Sequence, residues 1–301
     1  MGEAAAIAAA LAWAMASLVM KQLSGRYPAL PLGAWRCLFA SLFFVVIFAP
    51  AGRVHDVASF PLSALAALVG SALVGIVLGD TNYIRALRFA PLAVVYPISM
   101  TLYPLFAVIL ATSFLNESLG WPFALGTALV LAGVAAIAFS RPSPAAAGEL
   151  ALGGEALQSE RLRLGLGLAI FSALCWGGST IVLKLALEDV DVIAANTLRL
   201  PIIAGFLVGL SLRQLPALHP RAFGRSLWLV ALEGVLDFGA GSLLFLYAIT
   251  KAGAGLTAVL SSVSPLFAMP LTALVFKERV TKRMIAGTVL CLAGIVVISA
   301  A

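Results

Sequence analysis

Trp13–Lys21 reads WAMASLVMK, and Trp176–Lys184 reads WGGSTIVLK. The same 163-residue offset that relates these stretches relates Arg36 to Arg199. Further along, Pro104-Leu105-Phe106-Ala107 returns 161 residues later as Pro265-Leu266-Phe267-Ala268. Glu117, Gly126 and Leu131-Ala132-Gly133 return at that offset as Glu278, Gly287 and Leu292-Ala293-Gly294. One apolar unit is stated twice. Duplication of this kind points to a membrane carrier built from internal repeats, with its site between the copies.

Composition agrees with a membrane setting. Of the 301 residues 62% are hydrophobic and 11% charged, too apolar a balance for a soluble core. Mean hydropathy is +1.08. The net charge of +6 does not suggest nucleic acid, because the basic residues lie between apolar runs and read as cytoplasmic loop charge. Cys37, Cys175 and Cys291 fall inside apolar runs and read as small packing residues rather than disulfide partners. The N-terminal stretch carries Glu3, has no basic leader, and reads as a first membrane helix rather than a signal peptide.

A helix crosses the hydrocarbon core with roughly 20 apolar residues. Ten segments meet that length: 4–22, 30–50, 61–87, 91–114, 120–139, 163–186, 191–212, 224–249, 254–276 and 281–300. The expected fold is an all-α integral membrane protein, with ten transmembrane helices as two inverted five-helix repeats around a central cavity. The first repeat takes residues 1–140, a linker 141–162, and the second repeat 163–301.

Five helices per repeat is odd, so the second copy must enter from the opposite side. Charge supports this. Lys21, Arg26, Arg85 and Arg88 follow segments one and three, whereas Arg213, Arg221, Arg225, Lys277, Arg279, Lys282 and Arg283 follow segments seven and nine. Adding Arg141, Arg161 and Arg163 leaves only Arg53, Lys184 and Lys251 for the other face. The positive-inside rule then places both termini on the non-cytoplasmic side of a multi-pass inner-membrane protein.

These residues carry a family resemblance. The chain resembles the drug/metabolite transporter superfamily, and within it the ten-helix EamA-type transporters. The matching features are Trp13 and Lys21, Arg36, Pro104 and Glu117, with their second-half partners Trp176 and Lys184, Arg199, Pro265 and Glu278. A Gly-rich fifth helix closes each half. The resemblance spans the chain outside the linker and implies a ten-helix bundle that exports or exchanges small organic solutes, amino acids among the candidates.

Charges inside the membrane cost about 2.5–3.5 kcal/mol on insertion scales and ask for a reason. Asp237 sits near the middle of segment eight, Glu233 lies four residues earlier on the same helical face, and Asp80 lies in segment three. Aligning Ala86 with Ala248 matches Asp80 to Ser242 and Asp237 to Gly75, so neither acid is duplicated. All three are candidates for binding a proton or a cationic group; the structural alternative is an ion pair with Arg36, Arg199 or a helix end. Arg36 and Arg199 enter their helices by about 9–12 Å at 1.5 Å per residue. They read either as shared structural ties or as a carboxylate-binding pair.

Trp13 and Trp176 lie mid-helix, away from any interfacial belt. With Tyr83, Tyr96 and Tyr103 they suit an aromatic-lined substrate cavity, and Ser99, Ser261 and Ser262 offer hydrogen bonds to it. Ordinary helix packing is the alternative for each. Pro97 and Pro104 in segment four, with Pro265 and Pro270 in segment nine, mark those segments as kinked cavity walls. Gly126, Gly133, Gly287 and Gly294 read as close-packing stripes, Glu117 and Glu278 as helix caps, and Lys21 and Lys184 as snorkelling ends.

The expected function is a secondary transporter working by alternating access, with a passive channel as the second reading. An intramembrane enzyme is disfavoured, because His55 and His219 lie in loops without metal spacing or a nucleophile–base pair. No catalytic residue, metal or cofactor is expected. The expected partners are a small-molecule substrate and the lipid bilayer, with monomer and homodimer both open.

Overall fold

The computed structural model describes residues 1–48, 60–90, 92–114, 120–138, 155–187, 190–276 and 281–299. Among them there is no strand. The elements are α1 (Gly2–Ser24), α2 (Ala29–Phe48), α3 (Leu62–Phe89), α4 (Leu92–Phe114), α5 (Trp121–Ala138), α6 (Glu155–Ala186), α7 (Val192–Leu210), α8 (Pro220–Ala252, opening in short turns), α9 (Ala254–Ser261), α10 (Ser264–Phe276) and α11 (Lys282–Ser299). Among the described residues, seven helical stretches are long and apolar enough to cross a membrane: α1, α2, α3, the α6 stretch from Glu160, α7, α8, and α9 with most of α10. The shorter apolar runs Ile98–Ala111, Trp121–Gly133 and Ile285–Gly294 lie in α4, α5 and α11.

Local chemistry explains the boundaries. Asp191 caps α7, its carboxylate accepting from the backbone N–H of Ile193 at 3.0 Å and of Ala194 at 3.2 Å. Gly253, at φ 82°, ends α8 in a conformation that a residue with a Cβ adopts at a cost. Two boundaries differ from the sequence expectation. Helix α6 begins at Glu155, ahead of the expected segment start at 163, because EALQSERLRLG is made of good helix formers with no breaker before its glycine. Segment nine is split at Ser262–Val263, just before Pro265, whose missing N–H suits the first turn of α10. Segment four, by contrast, runs unbroken through Pro97 and Pro104. Glu117, Glu278, His55 and Arg53 lie outside the described residues, as do residues 141–154 of the linker.

Packing crosses between the halves. α1 rests on α8, α9 and α10, while its counterpart α6 rests on α3 and α4. The equivalent helices α2 and α7 pack on one another, and so do α5 and α11. Glycine makes the last pair close. A Cβ on Gly133 would meet the Gly287 carbonyl oxygen at 2.5 Å, and one on Gly294 would meet the Gly126 carbonyl at 2.6 Å. Pairing 133 with 287 and 126 with 294 makes α5 and α11 antiparallel. Their stripes act in packing, as small residues do where backbones meet in lipid.

Two helices depart from α geometry at the same place. Leu73–Asp80 in α3 and Val235–Gly241 in α8 are π-helical, 162 residues apart. Such wide turns recur at functional sites. Here each presents a glycine to the tryptophan of the other half: a Cβ on Gly79 would meet Trp176 at 2.9 Å, and one on Gly241 would meet Trp13 at 2.6 Å.

Candidate functional site

A cavity of about 150 Å³ lies between α1, α2, α3, α4, α6, α7 and α8. Its walls are aromatic. Trp13 from α1, Tyr83 from α3, Tyr96 and Tyr103 from α4 and Trp176 from α6 all line it. Trp176 packs against Tyr83 in a tilted arrangement with ring centroids 5.3 Å apart, and Trp13 against Phe245 likewise at 5.0 Å. Both indoles also donate inward, Trp176 Nε1 to Asp80 Oδ1 at 2.8 Å and Trp13 Nε1 to the Asp237 carbonyl at 3.4 Å.

At one end of the cavity sits Arg36, 2% exposed and surrounded by carboxylates. Nε pairs with Glu233, Nη2 with Asp237, and Nη1 with Asp80 at 3.3 Å. Its Cζ stands 4.5 Å from the centroid of the Phe238 ring, a cation–π arrangement. Backbone contact makes this possible: a Cβ on Gly234 would meet the Arg36 carbonyl oxygen at 2.5 Å. Gly234 therefore lets α8 touch α2, and Glu233 and Asp237, one turn apart, reach the guanidinium from one face.

The three acids and Arg36 thus form one cluster rather than separate sites. Burial orders them differently from their helix positions, since Glu233 is 1% exposed while Asp80 is 14% and Asp237 is 21%. With all groups ionised, three carboxylates face one guanidinium. Desolvating each ion costs several kcal/mol, and one cation cannot offset three anions. The cluster has capacity for a proton or a second cation.

Arg199 does not share this arrangement, although it too lines the cavity. Its Nη2 donates to Ser242 Oγ at 3.1 Å, and the Ser242 hydroxyl in turn donates to Asn196 Oδ1 at 3.2 Å. No ion pair is found for Arg199 among the described residues, and its Nε has no acceptor there. The expectation of one shared task for the two arginines is corrected on this point: identical residues at equivalent positions have different partners.

The three predicted serines are not brought to the cavity wall. Ser99 donates to the Ala169 carbonyl at 3.3 Å, Ser261 to Ala258 at 3.1 Å and Ser262 to Val259 at 2.6 Å. Nor does the region expected as a second wall line the space. Ser261 bonds the Tyr103 hydroxyl at 3.1 Å and Ser264 bonds that of Tyr96, so α9 and α10 brace the tyrosines from behind. His219 caps a short turn through Arg221 N–H at 3.1 Å, away from the cavity. Among the described residues no group of His, Cys, Asp and Glu is set to hold a metal ion, and Cys37, Cys175 and Cys291 are free and buried.

Sequence reading missed Ser17, Ser179, Thr180, Ser242 and Phe238, which also line the cavity. A signal for two of them was present: Ser17 and Thr180 each follow their tryptophan by four residues, one helical turn along the same face. Ser242 was marked as the repeat counterpart of Asp80.

The profile of the EamA-like transporter family matches residues 1–139 and 163–300. An uncharacterized transporter of Archaeoglobus fulgidus is 25% identical over 281 residues, which cover 93% of this chain and 91% of that protein. A solved structure described only as a crystal structure of a protein superposes with a TM-score of 0.75 at 18% identity, covering 98% of this chain and 95% of that one; this likeness bears on the fold alone. A family profile spanning nearly the whole sequence, an aromatic cavity at its centre and helices suited to lipid lead to one conclusion: the chain belongs to the EamA-like transporter family and is a multi-pass membrane transporter, not an enzyme.

Proposed function

We propose that this protein is a secondary transporter that exports or exchanges small organic metabolites, amino acids among the candidates, by alternating access across the cytoplasmic membrane. The observation that carries the reading is the cavity itself: both halves build it, from α1–α4 and α6–α8, with the Arg36 cluster tying α2, α3 and α8 together. Repacking of these helices against one another moves the lining of a single site. The cavity has the mixed lining of a small-molecule site, mostly apolar with a few placed polar groups.

The finer architecture belongs to this proposal. Ten transmembrane helices form two inverted five-helix repeats, residues 1–140 and 163–301, joined by the linker 141–162, with both termini on the non-cytoplasmic side. Reciprocal packing of α1 and α6 into opposite halves supports it, as does the antiparallel meeting of α5 with α11. Equivalent helices that meet antiparallel are what a two-fold axis in the membrane plane requires. Asp80, Glu233 and Asp237 serve as the proton or cation coupling group, and Trp13, Trp176, Tyr83, Tyr96 and Tyr103 as substrate walls.

Counterflow tests the function. Proteoliposomes preloaded with an unlabelled solute should take up the labelled solute faster than empty ones, with saturation and competition. Uptake that is linear in concentration and indifferent to the internal solute would establish a passive channel instead.

A further inference from the structure

We infer that Arg199 is an anion subsite of the cavity and that the transported solute carries a carboxylate, which this guanidinium receives. The inference rests on the transporter reading above and deepens it. Three observations lead there. Arg199 is 6% exposed, deep in an apolar helix, and lines the cavity. Its Nε has no acceptor among the described residues, and its one hydrogen bond among them goes to a neutral hydroxyl. A buried guanidinium without an anion is an unfavourable resident of a membrane protein unless an anion visits it.

Repeat symmetry shows what is withheld from Arg199. Arg36 takes its carboxylates from Asp80, Glu233 and Asp237. At the 162-residue offset the same three positions around Arg199 hold Ser242, Ser71 and Gly75. The Arg199–Ser242 contact reproduces the Arg36–Asp80 contact with the charge removed. Ser71 turns its hydroxyl to the Leu68 carbonyl at 2.8 Å, and Gly75 has no side chain to offer. Equivalent arginines therefore differ by three acids: one is saturated and the other open.

Chemistry at the open position is selective. The unpaired Nε–H is a donor only, and a planar guanidinium matches a carboxylate through paired hydrogen bonds. A carboxamide presents one acceptor and a competing NH2 donor. The surplus of carboxylates around Arg36, in the same cavity, leaves room for a cationic group on the solute, so a zwitterion fits with both ends satisfied.

Thermal unfolding of the purified full-length protein, titrated with matched acid–amide pairs, tests this. Suitable probes are leucine with leucinamide, phenylalanine with phenylalaninamide, and butyrate with butyramide. At least one acid should stabilise the protein with an apparent Kd about tenfold or more below that of its amide. Ser242→Asp installs the acid that Arg36 already enjoys; it should fold with an unchanged or raised Tm and lose the preference for acids. Arg199→Gln should lose it too, and Arg199→Lys should keep part of it. The inference is overturned if no acid binds, if amides bind as well as acids, or if Ser242→Asp and Arg199→Gln retain the preference. Saturable counterflow of a neutral or amine solute without acid binding would remove the Arg199 subsite and leave the transporter reading standing. Linear passage of every solute would remove the carrier reading, while the binding comparison still decides Arg199.

Discussion

Arg36 is held in the cavity lining because three acids reach it from two helices, and that dependence is measurable. Arg36→Ala would leave Glu233, Asp237 and Asp80 buried around no cation. Breaking a buried pair costs about 3–5 kcal/mol, and here three partners are orphaned. Purified Arg36→Ala should therefore show a strongly lowered Tm, whereas Arg36→Lys should recover part of it; an unchanged Tm for Arg36→Ala would show that the cluster is not a structural tie. Removing an acid is different. Asp237→Asn leaves Arg36 paired with Glu233 and Asp80 and relieves the excess of like charge, so it should fold well. If the cluster couples transport to protons, uptake driven by a pH gradient falls at least tenfold in Asp237→Asn; uptake at the wild-type rate would exclude Asp237 as the proton group.

Glycine sets how close the helices come. A Cβ at Gly133 would meet the Gly287 oxygen at 2.5 Å and the Cys291 backbone nitrogen at 2.8 Å, neither of which can rotate aside. Gly133→Ala should therefore cost about 1–3 kcal/mol by overpacking. Gly178→Ala meets nothing within 4 Å and should leave Tm unchanged or raise it, since alanine is the better helix residue. Equal effects in thermal unfolding would contradict the packing account. The glycine stripes were legible in the sequence because their task is steric and repeats at helical spacing in both halves. Other features were not. Ser99, Ser261 and Ser262 looked like cavity donors, but a hydroxyl in an apolar helix readily satisfies itself on a backbone carbonyl, and all three do so. The π-helical turns at Leu73–Asp80 and Val235–Gly241 leave no periodic mark beyond their glycines. Helix α6 starts as early as Glu155 because nothing in the sequence before Gly165 stops a helix.

At the scale of the molecule, the duplicated residues describe the frame and the unduplicated ones give the cavity its polarity. Trp13 and Trp176 could be picked out as candidate lining residues because they lie mid-helix, away from an interfacial belt, and in the structure both line the cavity and meet equivalent glycines. The division between Arg36 and Arg199 was not legible, since partners depend on which helices cross between halves. Inverted topology makes a prediction of its own. On a background lacking Cys37, Cys175 and Cys291, Ser143→Cys in the linker should react with an impermeant thiol reagent only from the cytoplasmic side, and a cysteine placed after Ala301 only from the other. Labelling of both from one side would refute five crossings per half. The most direct test of the central claim, a single site opened to each side in turn, uses Ser179→Cys on that same background, because Ser179 lines the cavity. Its reactivity would be measured in right-side-out and inside-out vesicles, with and without excess transported solute. Alternating access predicts that solute raises labelling from one side as it lowers it from the other; equal labelling from both sides, unaffected by solute, would contradict the account.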